Sequence, residues 1–396
     1  MGAMFGQTSG LPLNTSIDAN GMDTQDSFFP GITTLGDILQ NEGYSQTLLI
    51  GSEATFGGRK LYFTDHGQYD IMDYDYAHDN GLIPEDYKVW WGYEDEKLFG
   101  FAKEKLLELA QQDNPFNLTM LTVDTHFEDG YVCDICPDTF GDNQYANVMA
   151  CSSRQVKEFV DWVQQQDFAA DTTIVISGDH PTMDSDFCED VDKDYERRVY
   201  TTYINAGAEK QTNEKRNYTT FDNFPTTLAA MGVEIEGDRL GLGTNLYSTQ
   251  QTLTEQFGIE KEEKELKRKS KLLNQMAQID KKKYEEEIAA QTDPIAKAKA
   301  GKYNAETEEI PITVKKVQYA DKGIQSIMAA VWKYDDQSDL QWVPLAMYDG
   351  DVWKGNINIS GYDSPEGAYN IHLYLVDGNG DLYNICLLYT SPSPRD

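Results

Sequence analysis

Short apolar runs alternate with amphipathic segments over the first two thirds of the chain. Residues 172–177 (TTIVIS) are β-branched almost throughout and lie between Asp171 and Gly178, which is typical of a strand buried in a parallel sheet. Further strands are expected at residues 46–50, 117–123 and 198–205. Helical patterns separate them, at residues 34–39, 94–112, 145–168 and 221–231. This alternation predicts an α/β fold with a mostly parallel sheet flanked by helices.

The pattern changes twice in the last third of the chain. Residues 254–308 are rich in charge and sparse in apolar positions, which predicts a helical linker. Because regular heptads do not persist there, we expect a solvated spacer and not a coiled-coil zipper. Residues 309–385 alternate in polarity between Asp-Gly and Gly-Asn-Gly turns, which predicts a small all-β sandwich. Residues 1–253 are therefore expected to form a separate domain.

Charge and hydropathy narrow the classes of function. The 396 residues carry a formal net charge of -34, and such a surface repels nucleic acid and anionic lipid headgroups. An anionic substrate would therefore need a locally positive site, which a metal ion and a few arginines can supply. Mean hydropathy is -0.58 and no run of about 18 apolar residues occurs, so no membrane-spanning segment is predicted within these residues. No signal peptide is visible.

Five cysteines leave several readings open. Cys133 and Cys136 form a C-x-x-C pair, a spacing found in zinc knuckles and in redox pairs. A zinc site needs further ligands, and Cys151 and Cys188 follow at irregular distances. The spacing alone therefore favours a loop disulfide or free thiols.

Chemically competent side chains follow three of the expected strands. Asp179 and His180 come directly after residues 172–177, His126 follows the strand at 117–123, and Arg59 lies in the loop after the strand at 46–50. Ligands bind at the carboxyl ends of strands in open α/β sheets. An Asp–His pair can offer an oxygen and a nitrogen to one divalent cation, and Arg59 can hold a phosphate. A capping Asp beside an incidental His, and an Arg paired with one of many carboxylates, are the alternatives.

Three motifs carry a family resemblance. TVDTHFEDGYV (122–132), ISGDHPTMD (176–184) and DRLGLGTNLYS (238–248) resemble the extracytoplasmic domain of the lipoteichoic acid synthase and phosphoglycerol transferase family. That family lies within the alkaline phosphatase and sulfatase superfamily, and the resemblance covers residues 1 to about 255. It implies an alkaline-phosphatase-like sheet. It also implies a divalent metal, Mn²⁺ or alternatively Mg²⁺, held by a Glu, a nucleophilic Thr, Asp179 and His180, with Arg59 and His126 contacting the phosphoglycerol group.

The reaction implied by the resemblance is transfer of phosphoglycerol from phosphatidylglycerol to an acceptor of the cell envelope. The Thr would attack the phosphate and release diacylglycerol, and a glycolipid, glycan or teichoic acid hydroxyl would then take the group. Membrane attachment would come from N-terminal helices. A sulfatase or phosphodiesterase of the same superfamily is one alternative, and a non-catalytic, wall-associated surface protein is another.

The chain departs from the family pattern near its start. The family's Thr precedes a stretch like GMFxSxxGLPL, which here corresponds to Ala3–Leu13, so the Thr is expected immediately before Met1. The metal-binding Glu and the membrane helices would lie further upstream. Thr8 is in the wrong register, so we expect this polypeptide by itself to be inactive. Gly57 stands where synthases carry Trp, which favours the transferase branch over a polymerase.

Both C-terminal segments also resemble known sequences. VWKYDDQSDLQWVPL and GAYNIHLYLVDGNG, within residues 309–385, resemble a Bsp-like repeat of Gram-positive surface proteins, which implies an extracellular setting. Residues 386–396 (CLLYTSPSPRD) resemble a translated sequencing adaptor, and we expect them to be an artefact.

Overall fold

The computed structural model describes residues 1–184, 187–192, 194–284, 294–318, 320, 322–334, 337–362 and 369–390. The chain forms two compact units, Met1–Tyr284 and Glu285–Asp396. Among the described residues, no helix combines the length and the apolar character that crossing a bilayer requires.

The first unit alternates helices and short strands, as the sequence pattern predicts. Its helices are α1 Gly2–Ser9, α2 Leu35–Asn41, α3 Arg59–Asp65, α4 Tyr74–Asp79, α5 Asp95–Leu109, α6 Gln144–Val163, α7 Asn223–Ala230, α8 Leu253–Phe257, α9 Ile259–Leu266 and α10 Lys271–Ala277. Its strands are β1 Ser45–Ile50, β2 Asp70–Met72, β3 Phe116–Leu121, β4 Ile174–Ser177, β5 Thr201–Ile204, β6 Arg239–Leu240 and β7 Gly243–Thr244. Thr34 caps α2: its side chain accepts from the Asp37 amide, and the Asp37 side chain accepts from the Thr34 amide.

A parallel sheet with strand order β2-β1-β3 organises the first unit. Successive side chains of its central strand β1 point to opposite faces. Leu48 packs into a cluster with Phe5 and Phe28, whereas Leu49 packs into a second cluster with Leu98. Helices therefore cover both faces, and the predicted α/β class is confirmed.

The strand at 172–177 does not take its predicted place. β4 pairs antiparallel with β5 in a separate two-stranded sheet, and Val175 is 37% exposed. A parallel neighbour needs a crossover connection, usually a helix, whereas the described residues between β4 and β5 contain no helix. β-Branched composition encodes an extended backbone, but it does not encode the direction of the partner strand. The prediction of a buried parallel strand was wrong here.

The helical part of the predicted linker is not a solvated spacer. Leu273 and Ala277 of α10 are buried in the same cluster as Phe28, and the Gly31 amide donates to the Met276 carbonyl at 3.0 Å. Residues 273, 276 and 277 lie on one face of the helix, so three apolar positions suffice to dock it. The sparse apolar content concealed this local amphipathic face.

The second unit is a seven-stranded antiparallel sheet with strand order β14-β13-β10-β11-β12-β9-β8. Its strands are β8 Ile295–Ala300, β9 Glu309–Gln318, β10 Ile324–Trp332, β11 Gln341–Asp349, β12 Val352–Asn358, β13 Tyr369–Asp377 and β14 Leu382–Thr390. Strict alternation of burial along β13 and the approach of β14 to β8 indicate a sheet that curls almost closed around one core. The predicted all-β module is confirmed.

Two predicted boundaries, the end of the linker at residue 308 and the start of the tail at residue 386, differ from the strand bounds of the second unit. β8 falls within the range expected to be a helical linker, because its residues IAKAKA alternate in burial and pair with β9. Residues 386–390, expected to be an artefact, continue β14, while residues 391–396 of that predicted tail lie outside the described residues.

Candidate functional site

Arg59 is buried at the start of α3, in the loop that follows β1. One terminal nitrogen donates to the Glu53 carbonyl at 2.8 Å and lies 3.4 Å from Ser52 Oγ, and the guanidinium lies 5.3 Å from the Phe56 ring centre. Burial lowers the pKa of Arg59, and the charge of Asp73 opposes that shift. Its Nε is buried without a hydrogen-bond partner among the described residues. A fixed guanidinium with an unused donor is suited to an anionic ligand.

His126 lies just beyond the end of β3 and is exposed. Its Nδ1 is 2.6 Å from the Phe127 carbonyl, which assigns the proton to Nδ1 and leaves Nε2 as the acceptor. Its ring centre lies 5.1 Å from that of Trp91. Gly92, the residue after Trp91, forms a β-bridge with Ser52 in the loop before Arg59. The segment that contacts His126 is therefore joined to the loop that carries Arg59.

Asp179 and His180 follow β4, and their side chains are 55% and 52% exposed. His180 Nδ1 lies 2.9 Å from the Pro181 carbonyl, which directs the lone pair of Nε2 outward from that bond. His180 Nε2 and Asp179 Oδ2 are 3.4 Å apart. Two ligand atoms at this separation can each lie about 2.1 Å from one ion, so the pair fits a divalent cation as two ligands of a larger set.

Helix α1 touches both the Arg59 loop and the Asp179 loop. Gln7 donates to the Gly178 carbonyl at 3.3 Å, directly before Asp179. Gly57 has φ 65°, and a Cβ atom there would lie 3.4 Å from Met1 Cβ. Burial lowers the pKa of the Met1 α-amino group, the charge of Arg59 lowers it further, and the charge of Asp179 raises it. The start of α1 thus lies between two of the predicted site residues.

Tyr145 of α6 joins the His126 loop to the Asp179 loop. Its hydroxyl donates to the Thr125 carbonyl at 2.8 Å and is also 2.8 Å from Thr182 Oγ1. Thr125 precedes His126, and Thr182 follows His180. Apart from the Asp179–His180 pair, the candidate side chains make no direct hydrogen bond or ion pair with one another among the described residues. The loops that carry these side chains are joined through α1 and through Tyr145.

A buried pair of carboxyl groups supports the His126 loop. Asp95 accepts from the Val123 amide at 2.7 Å and from the Asp124 amide at 3.3 Å, while Asp124 accepts from the Asp95 amide at 3.1 Å. Burial raises the pKa of both carboxyl groups, and the charge of Asp95 raises that of Asp124 further. The pair fixes the backbone from which the loop departs.

Sequence reasoning missed Tyr145, Asp95 and Asp124, which act by contact across long separations. Asp124 carried a usable signal, since it lies two residues before His126 at a strand end. For Tyr145 and Asp95 the sequence gives no signal of a role in the site, because each is simply one position in a predicted helix. Thr8, expected to be out of register, bonds internally to the Met4 carbonyl at 2.7 Å and to the Tyr62 hydroxyl at 2.6 Å.

Arg59 and His126 lie in the loops beyond strands of the helix-covered parallel sheet, and the Asp179–His180 pair follows β4 of the separate two-stranded sheet. These guanidinium, imidazole and carboxylate groups define an α/β protein suited to charged substrates. Residues 8–233 match the family model described as Sulfatase, more than half of the chain, and the chain belongs to that family. Residues 299–386 match the model described as GBS Bsp-like repeat. Both predicted resemblances are confirmed.

Curated relatives carry the name phosphoglycerol transferase I. The protein from Xanthomonas campestris pv. campestris is 30% identical over 251 residues, 62% of this chain and 35% of the relative. The protein from Salmonella choleraesuis is 31% identical over 265 residues, 64% of this chain and 33% of the relative. The chain therefore spans about a third of their length. The crystal structure of the lipoteichoic acid synthase LtaP from Listeria monocytogenes is similar with a TM-score of 0.49 and 18% identity, covering 62% of each chain.

Proposed function

We propose that the first unit belongs to an extracytoplasmic, membrane-attached enzyme that transfers phosphoglycerol from phosphatidylglycerol to an envelope acceptor. The acceptor is a glycolipid, a glycan or a teichoic acid. Support comes from the sulfatase family match, from the names of the curated relatives and from the charged groups beyond the strand ends.

The position of Met1 is the observation that carries this proposal. Its side chain adjoins Gly57, two residues before Arg59, and Gln7 of the helix that follows it donates to the Gly178 carbonyl directly before Asp179. A residue directly ahead of Met1 would share these surroundings, between a phosphate-binding guanidinium and a metal-binding carboxylate. The proposed nucleophilic Thr belongs at this position, and the proposed metal-binding Glu belongs further upstream.

Asp179 and His180 would hold the proposed metal ion, preferably Mn²⁺ and alternatively Mg²⁺. The donor set fits, because one carboxylate oxygen and one imidazole nitrogen lie 3.4 Å apart in an accessible loop. When bound, such an ion lowers the pKa of a neighbouring hydroxyl and offsets phosphoryl charge. Two protein ligands leave room for upstream ligands and for substrate.

Arg59 and His126 would act directly on the substrate. The Arg59 guanidinium would donate to a phosphate oxygen and so orient the phosphoglycerol group for attack. The Thr oxygen forms the new bond to phosphorus as the bond to the diacylglycerol oxygen breaks, and that oxygen takes a proton. His126, with an exposed ring, is the group proposed to bind the phosphate or to move this proton.

The test is diacylglycerol release from phosphatidylglycerol by a longer gene product that includes the residues encoded ahead of Met1. We expect Mn²⁺-dependent release, and a loss of about 100-fold or more in Arg59→Ala and His180→Ala. His78→Ala, at a partly exposed histidine of α4, is the matched control and should retain activity. Hydrolysis of a sulfate ester without diacylglycerol release would instead support the sulfatase alternative. No Thr codon ahead of Met1 would contradict the proposed nucleophile.

A further inference from the structure

Three cysteine thiols converge between the His126 loop and α6. Cys133 Sγ lies 3.2 Å from Cys136 Sγ and 3.8 Å from Cys151 Sγ, and all three sulfur atoms lie within 4.8 Å of one another. Cys133 and Cys136 are in one turn, closed by a 3.0 Å backbone bond from the Cys136 amide to the Cys133 carbonyl. Cys151 lies on the second turn of α6, so the cluster joins a loop to a helix.

Buried polar groups surround these thiols. Cys133 is 4% exposed, Cys151 is 1% exposed and Gln155 is 5% exposed. The Gln155 amide lies 3.6 Å from Cys151 Sγ and 4.0 Å from Cys133 Sγ. The Arg154 guanidinium lies 3.7 Å from Cys151 Sγ and also donates to the Ile135 carbonyl. Hydrogen-bond donors directed at sulfur are typical of groups that support coordinated thiolates.

We propose that Cys133, Cys136 and Cys151 together bind one soft divalent metal ion of the zinc class. Three thiolates arranged tetrahedrally around zinc, each about 2.3 Å from it, have their sulfur atoms about 3.8 Å apart. The two separations of 3.2 and 3.8 Å need only a small adjustment to reach this geometry. Binding releases the three thiol protons and forms three metal–sulfur bonds.

Charge balance supports the same assignment. Three thiolates and one divalent ion carry a net charge of -1, and the adjacent Arg154 guanidinium, which also lies 3.8 Å from the exposed Glu158 carboxylate, offsets part of that charge. A fourth ligand comes from water. A single disulfide would use two of the sulfur atoms and leave the third thiol beside it, whereas a metal ion uses all three.

The consequence is a clamp that fixes the start of α6. Cys151 lies six residues after Tyr145 on the same helix, and the Tyr145 hydroxyl holds the loops of His126 and His180. The proposed ion therefore supports the geometry of the candidate site from outside it. This inference does not depend on phosphoglycerol transfer.

The first experiment uses the purified chain, prepared with a reductant and loaded with Co²⁺. Wild type is expected to bind one equivalent and to show thiolate-to-cobalt charge-transfer absorption, and zinc should displace the cobalt. This spectrum needs no variant, so misfolding of a mutant cannot imitate the result. Absence of the charge-transfer band in folded wild type would overturn the proposal.

Variants then assign the ligands. Cys136→Ser and Cys151→Ser should each lose the band and weaken zinc binding by about 100-fold or more. Cys188→Ser, which removes a cysteine outside the cluster, should leave both unchanged. A disulfide between two of the three cysteines after reductant treatment, shown by intact mass and thiol titration, would contradict a metal site. So would equal zinc binding by Cys151→Ser and wild type.

Discussion

Two groups of potential metal ligands among the described residues of the first unit have opposite properties. Asp179 and His180 offer two hard donor atoms from an exposed loop, whereas Cys133, Cys136 and Cys151 offer three sulfur atoms from a largely buried cluster. The exposed pair leaves coordination positions open for substrate, as catalytic sites do, and the thiol cluster is nearly complete, as structural sites are. The number of ligands and their burial therefore separate a proposed reaction site from a proposed structural one.

The largest expected difference between these groups is in stability. Zinc at 1,000 times its Kd should raise the free energy of unfolding of wild type by about 4 kcal/mol, because only the folded chain presents three converged thiols. Urea unfolding with zinc or with a chelator measures this shift. His180→Ala should show the same shift and Cys151→Ser should lose it. If zinc raised the free energy of unfolding of Cys151→Ser as much as that of wild type, the thiol cluster would not be the structural metal site.

A smaller effect is expected from the carboxyl pair behind the His126 loop. The raised pKa of Asp124 means that the folded state holds a proton more tightly than the unfolded state. Its stabilising contribution is therefore full below the ordinary pKa of Asp, about 3.9, and is lost as the pH rises through the raised value. Asp124→Asn should lose less stability than wild type between about pH 5 and about pH 8, by roughly 1–2 kcal/mol.

Urea midpoints at both pH values check this expectation. Asp161→Asn, at an exposed position on α6, provides a control that should follow wild type. A wild type whose stability rises over that interval relative to Asp124→Asn would contradict the buried, protonated pair.

A further prediction concerns the link between the two ligand groups. Tyr145→Phe removes the hydroxyl that joins Thr125 and Thr182, and it should cost about 1 kcal/mol of stability. Cobalt absorption from the thiol cluster should remain, while amide exchange should accelerate in the loops of His126 and His180. Unchanged exchange in both loops would show that Tyr145 does not position them.

The sequence predicted the elements better than their pairing. Amphipathic and apolar periodicity correctly predicted α5, α6 and β1, because burial on one face leaves a periodic signature. The direction of β4 escaped prediction, since pairing depends on the connection to β5 and not on strand composition. The packing of α10 against the core of the first unit was not predicted, because three apolar residues in a charged segment give a weak periodic pattern.

The candidate site was predictable only where chemistry lies at strand ends in a recognised motif. His126, Asp179 and His180 came from such motifs, Arg59 came from its place in the loop after the strand at 46–50, and the roles of all four remain predictions. Cys151 escaped because its distance along the chain from Cys133 follows no ligand spacing, although the fold places the two sulfur atoms 3.8 Å apart. Burial of the Arg59 guanidinium with an unused Nε likewise arises from tertiary contacts that no local pattern encodes.

Direct titration with Mn²⁺, followed by electron paramagnetic resonance, tests the assignment of Asp179 and His180 most directly. Two protein ligands predict weak but measurable binding by this chain, lost in His180→Ala and retained in Cys136→Ser. His78→Ala, at an exposed histidine of α4, controls for the loss of an imidazole. Equal Mn²⁺ affinity in wild type and His180→Ala would contradict the proposed metal-binding pair.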